Sequence, residues 1–279
     1  MSTKTVETRS IQLMLVDMLK VFHDFCQKHS LRYFAIGGTA LGAARHHGFI
    51  PWDDDIDIGM PRSDYELMID IFNKENTNQR YVLESPFSPD PFFPYPYSKL
   101  YDTQTTVIEN MYHPLKRGLF LDIFPLDGIG NTPKGADGIF RQINYLSFVR
   151  KMITCAPSPQ KSRLRNLFLT ISRPFIVLSG IKLKTIRTKI DRKCKRIQYD
   201  ESDLVANFLG YWGEKEIVPK SVLGNPILLP FENIQICCPE KIDAYLTHVY
   251  GDWRTPPPKE KQITHHDIVY DLKKSYLEE

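Results

Sequence analysis

The chain has 279 residues, of which 42% are hydrophobic and 25% charged, and its net charge is +3. That length buries a real core in one elaborated domain or two, the fractions are those of an ordinary soluble protein, and so small a charge names no partner. Five cysteines (Cys26, Cys155, Cys194, Cys237, Cys238) without CxxC or metal-type spacing, behind an N-terminal MSTKTVETRS that lacks a secretory apolar stretch, point to free thiols in a reducing compartment.

In chain order, Ile11, Met14, Met18, Phe22 and Phe25 recur at three- and four-residue steps, which predicts an amphipathic helix over about 8 to 28. RYFAIGG reads as a short strand ending in Gly37-Gly38, and TALGAAR as the helix that follows. DDDIDIGM alternates as a strand closed by Pro61. SDYE, Ser63 to Glu66, has the capping-box form and starts a helix running to about Asn73. RYVLE and YSKLYD are further strands, and LFLDIFPLDGIG is a strand followed by a turn. LFLTISRPFIVLSGI is broken by Arg173 and Pro174, so its charge-free part is too short to span a bilayer.

From Pro133 to Gln198 the composition changes. Sixteen Lys or Arg face two acidic residues, Asp137 and Asp191, so this segment carries +14 and the rest of the chain −11. Apolar residues at helical spacing between the charges predict a basic helical insertion. The tail from about 200 returns to mixed composition. No internal repeat and no low-complexity segment is present.

The acidic cluster carries the chemistry. In a strand the side chains alternate faces, so Asp53, Asp55 and Asp57 point one way and Asp54, Ile56 and Ile58 the other. Three carboxylates on one face repel one another unless a cation sits among them. Mg²⁺ takes oxygen ligands, typically one or two carboxylates together with substrate phosphates. Ahead of the cluster, the Gly37-Gly38-Thr39 turn into a helix offers backbone N–H groups to an anion. A later strand adds Asp122 between apolar neighbours. Arg45 and Lys99 are candidates either for phosphate contacts or for ion pairs with the carboxylates. His46-His47 and His265-His266 lack metal spacing.

The stretch GGTALGAARHHGFIPWDDDIDIGMPRSDYE resembles the signature of the LicD family, whose members transfer phosphocholine from CDP-choline to cell-surface glycans and whose fukutin-type relatives transfer ribitol phosphate. FLDIFPLDGI and the terminal YGDW…PP…THH also resemble segments of that family. The wider resemblance is to the nucleotidyltransferase fold: Gly37-Gly38 match its hG[GS] element, Asp55-Ile56-Asp57 its [DE]h[DE] element and Asp122 its third carboxylate. It implies a mixed α/β (α+β) fold, with a nucleotidyltransferase-like core sheet flanked by helices. The organisation expected is a catalytic core at 1–132, the basic helical insertion at 133–198, and a C-terminal part at 199–279 completing the core.

The chemistry implied is transfer of phosphocholine from CDP-choline to a hydroxyl of a lipid-linked glycan precursor, of teichoic acid or lipopolysaccharide type, with release of CMP. Alternatives are another CDP-alcohol as donor, a nucleotidyltransferase proper, or a non-catalytic membrane-surface protein. Asp55, Asp57 and Asp122 are expected to hold Mg²⁺, with Mn²⁺ as a substitute, and Asp53 to be a fourth ligand or its neighbour. Asp122 completes the metal site or accepts the proton of the attacking hydroxyl. Gly37, Gly38, Thr39, Arg45, Lys99, His265 and His266 are the expected substrate contacts. Aromatic faces hold a quaternary ammonium by cation–π attraction, and Phe87, Phe92, Phe93, Tyr95, Tyr97 and Tyr101 cluster in one proline-rich segment. The basic insertion is expected on an anionic membrane surface rather than on nucleic acid. The protein is then cytoplasmic and peripheral at the inner face of the cell membrane.

Overall fold

Helix α1 (Thr8–Lys28) forms where the apolar spacing predicts it, and buries Leu15, Met18, Leu19, Phe22 and Cys26 on one face. Each such side chain contributes about 1.5–3 kcal/mol on leaving water. The computed structural model of the protein describes residues 7–75, 79–158, 162–262 and 268–278.

After α1 come β1 (Phe34–Ala35), α2 (Gly37–His46), β2 (Asp57–Pro61), α3 (Arg62–Glu75) and β3 (Tyr81–Glu84). The long strands β4 (Ser98–Glu109) and β5 (Leu115–Gly130) follow. Three helices then occupy the basic segment: α4 (Lys134–Thr154), α5 (Arg163–Leu178) and α6 (Leu183–Cys194). The remainder holds β6 (Leu204–Ala206), β7 (Ile217–Pro219), a short α7 (Lys220–Leu223), the hairpin β8 (Ile227–Phe231) and β9 (Ile234–Cys238), α8 (Ile242–Tyr250) and β10 (Ile268–Asp271).

The architecture is a mixed sheet with helices around it. Its strand order is β1-β2-β5-β4-β10, with β3 also on β4 and β6-β7 continuing from β5. β2 and β5 run parallel; the other pairs are antiparallel. Ile58 and Met60 of β2 and Leu121 and Ile123 of β5 are buried, which seats this parallel pair in the core.

Two elements differ from the sequence expectation. The paired strand begins at Asp57, so Asp53 to Ile56 lie in a loop ahead of it. Asp54 and Ile56 are nevertheless buried and Asp53, Asp55 and Asp57 only half-buried, so the alternation of faces persists without the ladder. The PLDGIG turn is absent: β5 runs through it to Gly130, because Asp127 is fully buried against Arg62 and β6 pairs with Asp127 and Gly128.

The basic segment is also more deeply built in than its charge suggests. Ile139, Phe140 and Ile143 of α4 and Ile186 and Ile190 of α6 share a core with Ile129 and Ala206. Arg62 donates to both oxygens of Asp127 at 2.7 Å and to Asp191 at 2.8 Å, tying α3, β5 and α6 together. Arg187 is fully buried and donates to the carbonyls of Ser88, Asp90 and Phe93.

Candidate active site

The β2–β5 register sets Asp57 directly beside Asp122. The β4–β5 register places Lys99 on the far side of Asp122. Residues opposite one another share a face, so the sheet presents a row of Asp57, Asp122 and Lys99. Lys99 Nζ lies 2.8 Å from Asp122 Oδ1. The contact is an ion pair by distance, although that buried oxygen receives no aligned hydrogen bond. Burial pushes the Asp122 carboxyl up to about 6, against the pull of Lys99. Asp57 is held well above the usual carboxylate range by burial and then by Asp55, Asp122 and Asp53. The four expected carboxylates therefore feel one another.

Helix α2 begins against this group. Gly37 has φ +54°, and a Cβ on it would stand 3.3 Å from Asp57 Oδ2 and 3.9 Å from the Tyr250 hydroxyl. A Cβ on Gly38 would stand 2.5 Å from Asp53 Oδ2. The glycine pair thus lets the helix N-terminus approach the carboxylates as no side-chain-bearing residue could. The Gly37 N–H is already given to Tyr245, at 3.2 Å. The next two amides of the first turn have no intrahelical acceptor. Thr39 Oγ1 accepts the Asp57 N–H at 2.9 Å and so fixes the start of β2.

The two expected cations have other partners. Lys99 is almost wholly buried, with its ammonium 3.3 Å from the Phe120 ring centre and 4.2 Å from that of Tyr95. It is Asp122's partner inside an aromatic enclosure. Arg45 donates to the Trp253 carbonyl at 2.7 Å and to His46 at 3.0 Å, so it braces α2 against the chain beyond α8. His265 and His266 lie outside the described residues.

The aromatic segment expected to face a quaternary ammonium divides. Phe93 and Tyr101 are fully buried, and Tyr95 and Tyr97 pack in a chain of rings leading to Phe124. Phe87 and Phe92 are exposed.

Several residues that local spacing did not single out stand beside the carboxylates. Glu109 accepts a hydrogen bond from the Tyr95 hydroxyl, has a second oxygen buried without one, and raises Asp122. Tyr270 of β10 donates to Asp54 at 3.3 Å. Tyr250 of α8 stacks edge-on with the partly exposed Trp212, their centres 5.3 Å apart, and Tyr211 beside it is open to solvent. They come from elements far apart in sequence. The one local signal was YGDW, which contains Tyr250.

The donor set fits a hard divalent cation, because the carboxylates of Asp53, Asp55, Asp57 and Asp122 crowd together at the start of α2. Among the described residues no three such side chains already converge on one point. A site that Mg²⁺ shares between one or two carboxylates and substrate oxygens needs no such convergence.

Residues 30–153 match the family described as LicD/FKTN/FKRP, nucleotidyltransferase domain. The chain is 28% identical to the lipopolysaccharide cholinephosphotransferase LicD of Haemophilus influenzae, across 94% of this chain and 97% of that protein. It is also 32% identical to an uncharacterized protein of Rickettsia typhi over 43% of this chain and 44% of the relative. A Rickettsia prowazekii protein is 44% identical over 19% of this chain and 20% of its own length. The Gly37-Gly38 turn against Asp53 and Asp57, and Asp57 beside Asp122, all lie within the segment that matches the LicD/FKTN/FKRP family.

Proposed function

We propose that the protein transfers phosphocholine from CDP-choline to a hydroxyl of a cell-surface glycan precursor. The observation that carries this reading is the carboxylate group itself: Asp57 and Asp122 side by side, with Asp53 and Asp55 near, at the foot of a helix whose first residues are glycine. The choice of choline rests on the similarity to the Haemophilus lipopolysaccharide cholinephosphotransferase, which extends over nearly the whole chain.

In the reaction, the acceptor oxygen bonds to the phosphorus that bears choline. The bond from that phosphorus to the bridging oxygen breaks, and CMP leaves with the bridging oxygen. Such a displacement needs positioning and charge neutralisation more than covalent chemistry. Asp55, Asp57 and Asp122 would hold Mg²⁺, or Mn²⁺ in its place, with Asp53 beside them. The cation, when bound, supplies positive charge to the diphosphate oxygens. The first turn of α2 offers N–H groups to the same anion. Lys99 keeps Asp122 in place from behind. Asp122 completes the ligand set or receives the proton of the attacking hydroxyl. Trp212 and Tyr250 join Tyr97, whose hydroxyl donates to Asp122 at 3.5 Å, as aromatic groups next to the site, and the exposed Trp212 is the ring offered to a quaternary ammonium.

A lipid-linked acceptor places the protein at the inner face of the cell membrane. Among the described residues no helix is long and apolar enough to cross it, and contact would run through 133–198. The test is incubation with CDP-choline, CDP-ribitol, CDP-glycerol and the four NTPs, with and without divalent cation. The expected result is cation-dependent CMP release from CDP-choline, raised by acceptor. Pyrophosphate from an NTP, with no CMP from any CDP-alcohol, would overturn the reading.

A further inference from the structure

Helix α5 is built inside out. Leu164, Leu167, Phe168, Ile171, Phe175 and Leu178 are all exposed, Leu178 at 83%, Leu164 at 80% and Phe175 at 70%. At 3.6 residues per turn they fall within an arc of about 100°. The side chain turned to the protein is the charged one. Arg173 is 8% exposed, donates to the Cys155 carbonyl and lies 3.6 Å from the Tyr112 ring centre. Leu169 is buried on the same inner side, and Asn166 holds the Ser158 carbonyl at 2.8 Å. A helix solvated on its outer face carries the opposite pattern. The apolar strip continues onto α4, where Tyr145 and Phe148 are exposed and Phe148 faces Phe168 at 6.3 Å. A contiguous apolar patch of this kind marks a surface that something covers.

The charges around the strip identify the cover. Arg163 at the start of α5, Lys182 and Lys184 after its end, and Arg141 and Lys151 on α4 are exposed. Of the two acidic residues in 133–198, Asp191 is buried against Arg62. Two copies joined through this face would bring their basic rims together. An anionic lipid surface meets both features, with headgroups at the rim and acyl chains under the strip.

We infer that the outer face of α5 enters one leaflet of an anionic membrane, lying in its plane, and docks the protein where lipid-linked acceptors are found. This deepens the membrane contact within the proposed function and is independent of the chemistry assigned there. It moves that contact from the whole basic segment to one helix face, since α6 packs in the core and its Arg187 is buried.

The test uses the full chain with vesicles of phosphatidylcholine and 30% phosphatidylglycerol. Wild type is expected to float with them and to remain partly bound in 0.5 M salt, because apolar insertion is not screened. The triple variant Phe168→Gln, Phe175→Gln, Leu178→Gln should bind at least tenfold more weakly, with an unchanged circular dichroism spectrum and unchanged CMP release from CDP-choline. In Phe175→Trp, the added emission should shift to the blue on vesicles. Wild type that ignores the vesicles would overturn the inference. So would binding abolished by salt and untouched in the triple variant, or a wild-type dimer that the triple variant dissolves without any vesicle binding. Absence of CMP release from the wild type would sink the catalytic reading while leaving the flotation result to stand or fall alone.

Discussion

Asp55 and Asp57 differ from ordinary half-buried acids because their neighbours are also acids. Asp55→Asn and Asp57→Asn keep size and remove charge, and each should lower transfer by at least about 10²-fold. Without divalent cation their melting temperature should stay level or rise, since repulsion is relieved; a marked fall would make the carboxylates structural. Glu216 presents a separate carboxyl. Burial pushes it from 4.5 up to about 7, opposed by the Trp212 N–H. A carboxyl with a higher value in the folded chain binds its proton more tightly there. Its stabilising contribution is full below about 4.5 and is lost as pH rises through about 7. Wild type should lose up to about 3 kcal/mol across that window that Glu216→Gln does not lose. Urea midpoints at pH 5 and pH 8 measure the difference, and equal pH slopes in the two proteins would refute the assignment. The numbers of the Asp residues were legible in the sequence. The partners of Lys99, Arg45 and Thr39 were not, because a carbonyl, a ring face or a strand amide leaves no local pattern.

At the scale of elements, the foot of α2 and the Arg62 junction do different work. Gly38→Ala puts a methyl 2.5 Å from Asp53 Oδ2, closer than contact allows. The carboxylate can swing away, so the fold should survive, with a melting temperature within a few degrees of wild type, while transfer falls roughly tenfold or more. Wild-type kinetics in Gly38→Ala would mean that the close approach has no role. Arg62→Leu leaves Asp127 buried without its cation and Asp191 with Lys195 alone, at 3.4 Å, and should cost about 3–5 kcal/mol in denaturant unfolding. A loss below about 1 kcal/mol would show that α6 is held by its apolar contacts alone. The helix-forming composition of TALGAAR located α2, and periodicity located α1 because one of its faces is buried. It missed the start of β2 and the extent of β5, since extended chain without a ladder alternates as a strand does, and PLDG reads as a turn until Arg62 is placed beside Asp127.

At the scale of the molecule, the C-terminal tail is stitched along β4. β10 pairs with residues 106–109, Tyr276 N–H reaches the Thr105 carbonyl at 3.0 Å, and the Ser275 hydroxyl reaches that of Thr103 at 2.6 Å. Tyr270 reaches on to Asp54. Deleting 268–279 should expose the β4 edge, promote aggregation and lower the melting temperature by on the order of 2–4 °C for each kcal/mol lost. Transfer should weaken beyond what the lost stability explains, and Tyr270→Phe should reproduce part of that kinetic loss with little change in melting temperature. A truncated chain with wild-type kinetics would detach the tail from the site.

The sequence by itself determined the carboxylates and the glycine turn, because like charge set among isoleucines is improbable without a cation and a strand–Gly-Gly–helix order is local. It also determined that 133–198 is basic and helical. Only the tertiary structure decided that Asp57 meets Asp122, since the parallel register joins strands 65 residues apart. Only it decided which charges of the basic segment face outward. Arg173 and Arg187 count as surface cations in a composition, yet each is buried on backbone carbonyls, and the apolar side of α5 is the one left outside. Composition sums charge over a segment; burial depends on which neighbour supplies the oxygen atoms, and those neighbours lie elsewhere in the chain.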